Sequence, residues 1–213
     1  MKTVTTAYRN AMSEQIRPEG YVRITVYNGN TTYVFNRADI TSCEKNHSAD
    51  MLSANLPTEQ FTFAVLDPSG TFDPRNPSGQ WAALSEKTKV KVEWGLKASA
   101  SVTYLTADWY YLNDRPKYND MVATFTASSI LCHLTMQDNA DLCGFGQPTE
   151  TTAKAMLDAF ADASGKVTSG EITVAADSIL SSIYFSPFGL KHVSARECIQ
   201  QVMNALGGIE SVI

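Results

Sequence analysis

The stretch that decides the fold is residues 56–95, LPTEQFTFAVLDPSGTFDPRNPSGQWAALSEKTKVKVEWG. At each end of this stretch, apolar residues alternate with polar, charged or small ones, which is the pattern of a half-buried β-strand. The residues predicted to face the core are Phe61, Phe63, Val65, Val90, Val92 and Trp94. The sequence therefore predicts two strands that are joined by a long loop.

The loop between these strands contains three turn signals, DPSG from Asp67, DP from Asp73 and NPSG from Asn76. Proline fixes φ, glycine accepts a positive φ, and an Asp or Asn side chain bonds to its own backbone. The same three side chains could supply oxygen ligands to Ca²⁺. A calcium loop needs alternating acidic residues and a closing bidentate glutamate, and prolines here stand where ligands would be required. We therefore favour turn chemistry and predict no metal site.

The segment before this stretch predicts a β-hairpin. Residues 21–27, YVRITVY, and residues 31–35, TTYVF, alternate on either side of Asn28-Gly29-Asn30, which has typical hairpin-turn chemistry. Three further elements are predicted here: a helix over residues 4–17, a strand over residues 40–43 and a polar link over residues 44–50.

The segment after it continues the strand pattern. Residues 102–112 are rich in aromatic and β-branched residues and predict one strand, with a bulge near Ala107 and Asp108. The elements predicted next are a turn over residues 113–119, a strand over residues 121–127 and a helical segment over residues 128–136. About seven strands at short spacing indicate an antiparallel β-barrel or sandwich, which we assign to residues 1–147.

Residues 148–213 form a second, smaller α/β unit in this interpretation. The predicted elements are a helix over residues 153–163, a strand over 171–175, a mixed segment over 179–185 and a helix that opens at the Ser194–Glu197 capping box and runs through Leu206. Residues 209–213 look like the start of a strand, so we expect this unit to be incomplete at its C-terminal end. The predicted fold class is α+β, mainly β.

Composition excludes some classes of partner. The formal net charge is -5 and the pI is about 5.2, which disfavours nucleic-acid binding because phosphate contacts need a clustered basic surface. No run of eighteen or more apolar residues occurs, so no membrane-spanning helix is predicted. Lys87, Lys89 and Lys91 share one face of a predicted strand, which we interpret as solvated.

Catalytic and metal-binding signatures are missing from the sequence. The three histidines, His47, His133 and His192, lie outside any motif for a nucleophile or a metal, and neither GxSxG nor HExxH occurs. The four cysteines include no CxxC pair, and Cys198 lies among apolar residues of a predicted helix, which favours a core role. We predict no catalytic residue and no cofactor, and therefore no enzymatic activity.

Two functional alternatives remain open on residue chemistry alone. A carbohydrate-binding β module would need an exposed platform, and the aromatic residues considered for it are Trp81, Trp94, Trp109, Tyr104, Tyr110 and Tyr111. A cell-wall hydrolase would need two carboxylates across a cleft, such as Asp108 with Asp114 or Glu93. Aromatic residues in alternating strands more often pack within the sheet.

The order of these motifs resembles the opening of phage tail hub proteins. In that family a strand ends at an Asn or Asp, a Gly and an aromatic residue lead to a Pro, and a strand ending in Gly follows. The matching residues here are Asp67, Gly70, Phe72, Pro74 and residues 90–95, preceded by Tyr8-Arg9-Asn10 and the Asp39-Ile40 step. Residues 121–128 resemble the family's next strand, and residues 149–165 and 194–208 resemble its two helices that end in glycine. The loop over residues 75–87 is longer than in other versions of the family.

This resemblance implies a role in a virion tail or a prophage-encoded tail. Hub proteins form a β-barrel-based ring, typically trimeric, that joins the tail tube to the baseplate or tail tip. The implied partners are further copies of the chain and other tail or baseplate proteins, and assembly would take place in the cytoplasm of the host bacterium. Cell-wall-degrading or receptor-binding parts of such proteins usually lie further along the chain or on a partner.

A ring requires exposed strand edges and apolar patches. We predict that the hairpin of residues 21–35 and the loop of residues 67–87 supply them. The residues predicted for this assembly surface are Val26, Phe35, Phe72 and Trp81.

Overall fold

The structure is a computed structural model. It describes residues 6, 9, 12, 19–48, 58–86, 88–98, 101–105, 107–133, 151–155, 157, 181–185 and 195–205. The predicted helix over residues 4–17 lies almost entirely outside these ranges, and the three residues described there are helical.

One antiparallel sheet of nine strands dominates the described residues. Its strands are β1 (Gly20–Asn28), β2 (Thr31–Phe35), β3 (Ile40–Ser48), β4 (Thr58–Leu66), β5 (Lys89–Ala98), β6 (Ser101–Tyr104), β7 (Asp108–Leu112), β8 (Lys117–Asn119) and β9 (Val122–Ser128). The strand order is β2-β1-β5-β7-β9-β4-β3, with β6 paired to β5 and β8 paired to β9. The predicted hairpin is confirmed as β1 and β2, which pair from Ile24↔Phe35 to Asn28↔Thr31.

The sheet is curled into an open barrel. Strands β2 and β3 lie at opposite ends of the strand order, yet only residues 36–39 connect them. The five Cα–Cα steps from Phe35 to Ile40 span at most about 18 Å, whereas a flat sheet of seven strands would separate its outer strands by about 29 Å. The two ends of the sheet must therefore approach each other.

The interior of this open barrel is a continuous apolar core. The alternating residues predicted to point inward are confirmed as core, since Phe61, Phe63 and Val65 are fully buried, as are Val90 and Val92. The phenyl rings of Phe63 and Phe125 stack with their centroids 4.8 Å apart. Each large side chain that is buried in this way contributes roughly 1.5–3 kcal/mol of apolar transfer free energy.

The predicted bulge occurs between β6 and β7, which pair one after the other with the same side of β5. Strand β6 pairs with β5 from Gly95↔Tyr104 to Ala98↔Ser101, and β7 pairs with the same side of β5 from Lys89↔Tyr111 to Val92↔Asp108. Between these two registers the chain has three residues where β5 has two, and this one extra residue is the count of a β-bulge. The structure therefore divides the predicted strand 102–112 into two strands at this bulge.

Two predicted connections are in fact partly strand. The polar link over residues 44–50 continues β3 as far as Ser48, because an edge strand tolerates polar side chains on both faces. The predicted turn over residues 113–119 contains β8, which forms a two-residue hairpin with β9 through Asp120 and Met121. Alternation at residues 44–48 is too weak, and β8 is too short, for either strand to be recognised in sequence.

The chain divides into two compact units, Met1–Asn46 with Gln60–Ser128, and His47–Glu59 with Ser129–Ile213. The elements described in the second unit beyond residue 128 are helix α1 (Ile130–His133), strands β10 (Thr151–Thr152) and β11 (Tyr184–Phe185), and helix α2 (Ala195–Ala205). The Thr152 hydroxyl accepts the Ala155 N–H (3.2 Å), as an N-cap does at the start of the helix predicted over residues 153–163. Cys198 is fully buried in α2, as predicted.

The predicted fold class, mainly β with an α+β composition, is confirmed. The boundary predicted at residue 147 and the strands predicted at residues 171–175 and 209–213 fall outside the described residues and stay predictions. Among the described residues, no helix has the length and apolar character needed to cross a membrane.

The turn between β8 and β9 stores backbone strain. Asp120 and Met121 both have positive φ, 48° and 63°, as a type I′ hairpin turn requires. Met121 lies in this turn with 58% of its surface exposed, and not in the strand that the sequence predicted over residues 121–127, because β9 begins at Val122. A left-handed conformation costs an L-residue with a Cβ roughly 1–2 kcal/mol.

We expect Met121→Gly to stabilise the fold by about 1 kcal/mol, because glycine adopts this conformation without strain. For a chain of this size, that gain corresponds to a rise in Tm of about 2–4 °C in a thermal unfolding experiment. Met121→Ala is the matched control, since it removes the exposed side chain but keeps the Cβ. An equal gain from both variants would show that the exposed side chain, and not the backbone, is the source of the strain.

Candidate assembly site

The loop over residues 67–79 is a series of consecutive turns. In four consecutive turns an N–H donates to the carbonyl three residues earlier: Gly70 to Asp67 (3.1 Å), Asp73 to Gly70 (3.2 Å), Asn76 to Asp73 (3.0 Å) and Gly79 to Asn76 (2.9 Å). Proline follows three of these acceptor residues, where it fixes the φ that a turn needs. The interpretation of this loop as turn chemistry is confirmed.

The side chain of Asp67 organises the first turns. Asp67 is 95% buried, and its Oδ1 accepts hydrogen bonds from the Ser69 hydroxyl (2.9 Å) and the Thr71 N–H (3.0 Å). Its Oδ2 accepts the Phe72 N–H (2.7 Å), and its carbonyl accepts the Tyr118 hydroxyl (3.1 Å). A buried carboxylate is tolerated here because donors occupy both of its oxygens.

The loop folds back on itself and closes one end of the barrel. The Gln80 N–H donates to the Thr71 carbonyl (2.6 Å), and a Cβ on Gly79 would lie only 2.8 Å from that same carbonyl oxygen. Only glycine fits this crossing. The closure directs Phe72 and Leu84 into the core, where the ring of Phe72 packs edge-on against that of Phe125 at 5.3 Å.

The predicted assembly surface must be corrected at two of its four positions. Val26 is fully buried and Phe72 is 97% buried, because Val26 lies on the inner face of β1 and the loop turns Phe72 into the core. Phe35 is half-buried and packs on Phe63 (6.4 Å between centroids). Because Val26 and Phe72 are buried, neither of these two side chains can contact a partner.

Trp81, the fourth predicted position, is held by the turn that follows β7. Its indole N–H donates to the Pro116 carbonyl (2.8 Å), and the Arg115 guanidinium lies over its ring at 4.8 Å from the centroid. Trp81 is partly exposed. Of the predicted four residues, only Phe35 and Trp81 reach the surface.

The exposed edge of β2 offers a better assembly surface. In a hairpin with a two-residue turn, Asn28 and Thr31 form a hydrogen-bonded pair, so the backbone groups of Thr32 and Val34 point away from β1. Val34 is half exposed. Strand β2 contains no charged residue and no proline, which are the usual protections of an edge.

The other edge, β3, is protected. It contains Glu44, Lys45 and His47, and all three are exposed. His47 Nδ1 lies 3.0 Å from the Glu59 carboxylate, and Lys45 Nζ lies 3.7 Å from that of Asp108. Charged side chains along an edge disfavour the addition of another strand. The two edges therefore differ in their capacity to pair.

The outer face of β1, β5 and β7 carries an ordered charge cluster. Glu93 is 92% buried, and its carboxylate contacts both Arg23 Nε (2.8 Å) and Lys91 Nζ (3.0 Å). The hydrogen bond from Arg23 is the main reason why the pKa of Glu93 lies below its ordinary value, and burial opposes this shift. The Arg23 guanidinium also lies 4.3 Å from the centroid of the Tyr104 ring.

The carboxylates considered for a hydrolase are not brought together. Asp108 pairs with Val92 on the inner face of the sheet, whereas Glu93 lies on the outer face opposite Arg23. Asp114 is exposed in the turn after β7, and its carboxylate accepts a hydrogen bond from the Arg115 N–H (2.7 Å). Among the described residues, no group of three His, Cys, Asp or Glu side chains could hold a metal ion.

Most of the candidate aromatic residues serve packing. Tyr110 is buried and stacks on Phe61 (5.3 Å), and Trp94 packs edge-on against the same ring (6.2 Å). Trp109 is different, because about half of its surface is exposed on the outer face. Val34 was not singled out from the sequence. Its position in an alternating edge strand, opposite the core-facing Tyr33 and Phe35, is the signal that could have found it.

Neither a family model nor a curated protein matches the chain. Among solved structures, the fold is similar to a chain in the structure of the Francisella PdpA-VgrG complex, lidded, with a TM-score of 0.46 and 10% sequence identity. The similarity covers 87% of this chain and 26% of that chain, so this chain spans about a quarter of its length.

We expect Asp67→Asn to destabilise the fold by about 2 kcal/mol, because an amide nitrogen would face a backbone donor and the charge-assisted bonds would be lost. Chemical denaturation monitored by tryptophan fluorescence measures this change. The matched control is Asp73→Asn, since the Asp73 side chain bonds mainly to the exposed Arg75. Equal losses from the two variants would contradict the organising role of Asp67.

We expect Glu93→Gln to reduce stability by about 1–2 kcal/mol at pH 7, because Arg23 and Lys91 lose their shared anion. The folded-state pKa of Glu93 is lowered, so its stabilising contribution is present above the ordinary glutamate pKa of about 4.3 and disappears as the pH falls through the folded-state pKa.

The difference in stability between parent and variant should therefore shrink on acidification, which urea denaturation between pH 7 and pH 3 measures. Glu44→Gln, at an exposed site on β3, is the control and should change stability by less than about 0.5 kcal/mol. A difference that stays constant over this pH range would rule out the ionised Glu93 as its source.

Proposed function

We propose that the chain is a structural component of a phage or prophage tail and forms part of the hub that joins the tail tube to the baseplate or tail tip. It acts through protein surfaces and not as an enzyme. Its partners are further copies of itself, in a ring that the resemblance suggests is trimeric, and other tail or baseplate proteins. Its place is the virion tail, after assembly in the host cytoplasm.

The observation that carries this proposal is the open barrel with an unprotected edge at β2. A strand edge with outward backbone groups and no charge or proline is a site where another strand can add. A monomer has no use for such an edge, whereas a ring-forming subunit needs one. The residues that resemble hub proteins, Asp67, Gly70 and Phe72, build the loop that closes this same barrel.

The chemistry of the described residues supports a role in assembly. The carboxylates Glu93 and Asp108 each contact a cation and lie on opposite faces of the sheet, so they do not form a catalytic pair. The large apolar side chains that remain exposed in the sheet are Val34, Leu66 and Trp109, and Met121 is exposed in the turn between β8 and β9. Contiguous exposed apolar patches are typical of surfaces that bind other proteins, and Met121 adjoins Leu66, since Leu66 pairs with Val122.

The first test is the mass of the particle in solution, measured by light scattering after size exclusion across a wide concentration range. We expect mass to rise from a monomer toward a closed oligomer such as a trimer. A strict monomer at all concentrations would contradict assembly by this chain.

We expect Val34→Lys to weaken this assembly at least about tenfold while leaving the free energy of unfolding within about 0.5 kcal/mol, because Val34 is exposed and a lysine protects an edge. Ser42→Lys, an exposed position on the already charged strand β3, is the matched control. The measurement is the concentration at which the mass falls to that of a monomer. Unchanged assembly in Val34→Lys would exclude the β2 edge.

A further inference from the structure

The nine-stranded sheet has a second uncharged edge. Four of its strands, β2, β3, β6 and β8, pair on one side only among the described residues. Strand β3 contains Glu44, Lys45 and His47, and the three-residue strand β8 contains Lys117. Strand β6 has the sequence SVTY, so it is similar to β2 in having neither a charged residue nor a proline. Of these four edges, only β2 and β6 therefore lack the usual protections against the addition of another strand.

The pairing of β6 with β5 determines which backbone groups of β6 are free. The Leu105 N–H donates to the Trp94 carbonyl (2.8 Å), so these two residues form a hydrogen-bonded pair at the end of the ladder. Hydrogen-bonded and non-hydrogen-bonded pairs alternate along an antiparallel ladder. Val102 and Tyr104 therefore occupy non-hydrogen-bonded positions opposite β5. Their N–H and carbonyl groups point away from β5, toward the free side of the strand.

Two side chains hold this short strand in place. Val102 and Tyr104 lie over Gly95 of β5, because a Cβ on Gly95 would be 2.8 Å from a carbon atom of each. The Arg23 guanidinium lies over the Tyr104 ring, 4.3 Å from its centroid, and Arg23 is itself bonded to Glu93. These contacts put both side chains on the outer face of the sheet, where Arg23 and Glu93 lie. The β6 edge is thus ordered before a partner binds, which lowers the entropy cost of pairing.

The free backbone groups of the two edges belong to residues on the same face of the sheet. On β2 they belong to Thr32 and Val34, which are exposed on the outer face. On β6 they belong to Val102 and Tyr104, which also lie on the outer face. Directly opposite residues of an antiparallel pair point to the same face, so pairing of β2 with β6 keeps the outer faces of two copies continuous. If the free groups lay on opposite faces, pairing would join the outer face of one copy to the inner face of the next.

We propose that the β2 edge of one copy pairs antiparallel with the β6 edge of the next copy. The register Val34↔Val102 and Thr32↔Tyr104 uses all four outward residues, and each of these pairs exchanges both backbone hydrogen bonds. The contact is head-to-tail, because two different edges meet, and its repetition forms a ring when the rotation closes. Pairing of β2 with the β2 of a second copy would instead be symmetric and would stop at a dimer. The inference rests on the proposed function, since it requires self-assembly, and it adds the partner of the β2 edge.

Two variants that each block one edge test this contact. Val34→Lys blocks β2 and Val102→Lys blocks β6, because a lysine on an edge disfavours the addition of a strand. Each copy in the ring uses both edges, so we expect each variant alone to associate at least about tenfold more weakly than the parent. In an equimolar mixture, the intact β6 of the first variant can still pair with the intact β2 of the second. We therefore expect the mixture to form a dimer of the two variants and no larger particle, as measured by light scattering after size exclusion.

Further measurements keep this test valid if a variant folds poorly. Circular dichroism checks that each variant keeps its strand content, and native mass spectrometry with one variant ¹⁵N-labelled checks that the dimer contains one copy of each. Val102→Pro replaces Val102→Lys if the lysine variant does not fold. It removes an N–H that points away from β5, and edge strands tolerate proline at such a position. Ser42→Lys, at an exposed position on the charged strand β3, is the matched control and should assemble as the parent does.

The outcomes separate this inference from the proposed function. If the parent assembles and a folded Val102 variant assembles equally well, the β6 edge is excluded and the hub role stands. If Val102→Lys alone forms a stable dimer while Val34→Lys is monomeric, β2 pairs with itself and the head-to-tail contact is wrong. A mixture without a dimer of the two variants would also overturn the inference. If the parent is monomeric at every concentration, both proposals fail.

Discussion

The four-residue connection between β2 and β3 is the constraint on which the sheet depends. These strands end the strand order on opposite sides, so a short connection between them is possible only in a strongly curled sheet. The curl places the inward residues of every strand except β6 around one core. It also leaves two edges close together, one uncharged and one charged, where a closed barrel would have none.

A curled sheet has open ends, and the loop anchored by Asp67 covers one of them. The carboxylate fixes the first turns by accepting the Phe72 N–H, and the fixed turns direct the Phe72 ring into the core. The hydrogen bonds of the Asp67 carboxylate therefore determine the apolar contact between Phe72 and Phe125. The loop turns back, crosses itself at Gly79 and places Leu84 in the core as well.

Much of the fold could be predicted from local patterns, and the assembly site could not. The alternation of apolar and polar residues located β1, β2, β4, β5 and β9, and the bulge near Ala107 was predicted as well. These predictions were possible because the period of apolar residues and the chemistry of turns depend on neighbouring residues. Alternation in β1 places Val26 on the apolar face with Val22 and Ile24, so the prediction of Val26 as a surface residue went against the strand pattern and was wrong. Phe72 was misplaced because the closure of its loop depends on distant contacts.

The β2 edge and the outer face of β1, β5 and β7 form one continuous surface. The registers Thr25↔Val34, Thr25↔Lys91 and Lys91↔Trp109 make a single row across four adjacent strands, from the free edge at β2 to β7. At about 4.8 Å per strand, this row is about 14 Å long. A partner strand that adds to β2 would extend the sheet beside this row, so the chain attached to that strand would lie next to Lys91 and Trp109. Strand addition at the β2 edge would therefore place the partner next to the exposed ring of Trp109, so that backbone pairing sets the register and the outer face supplies further contacts.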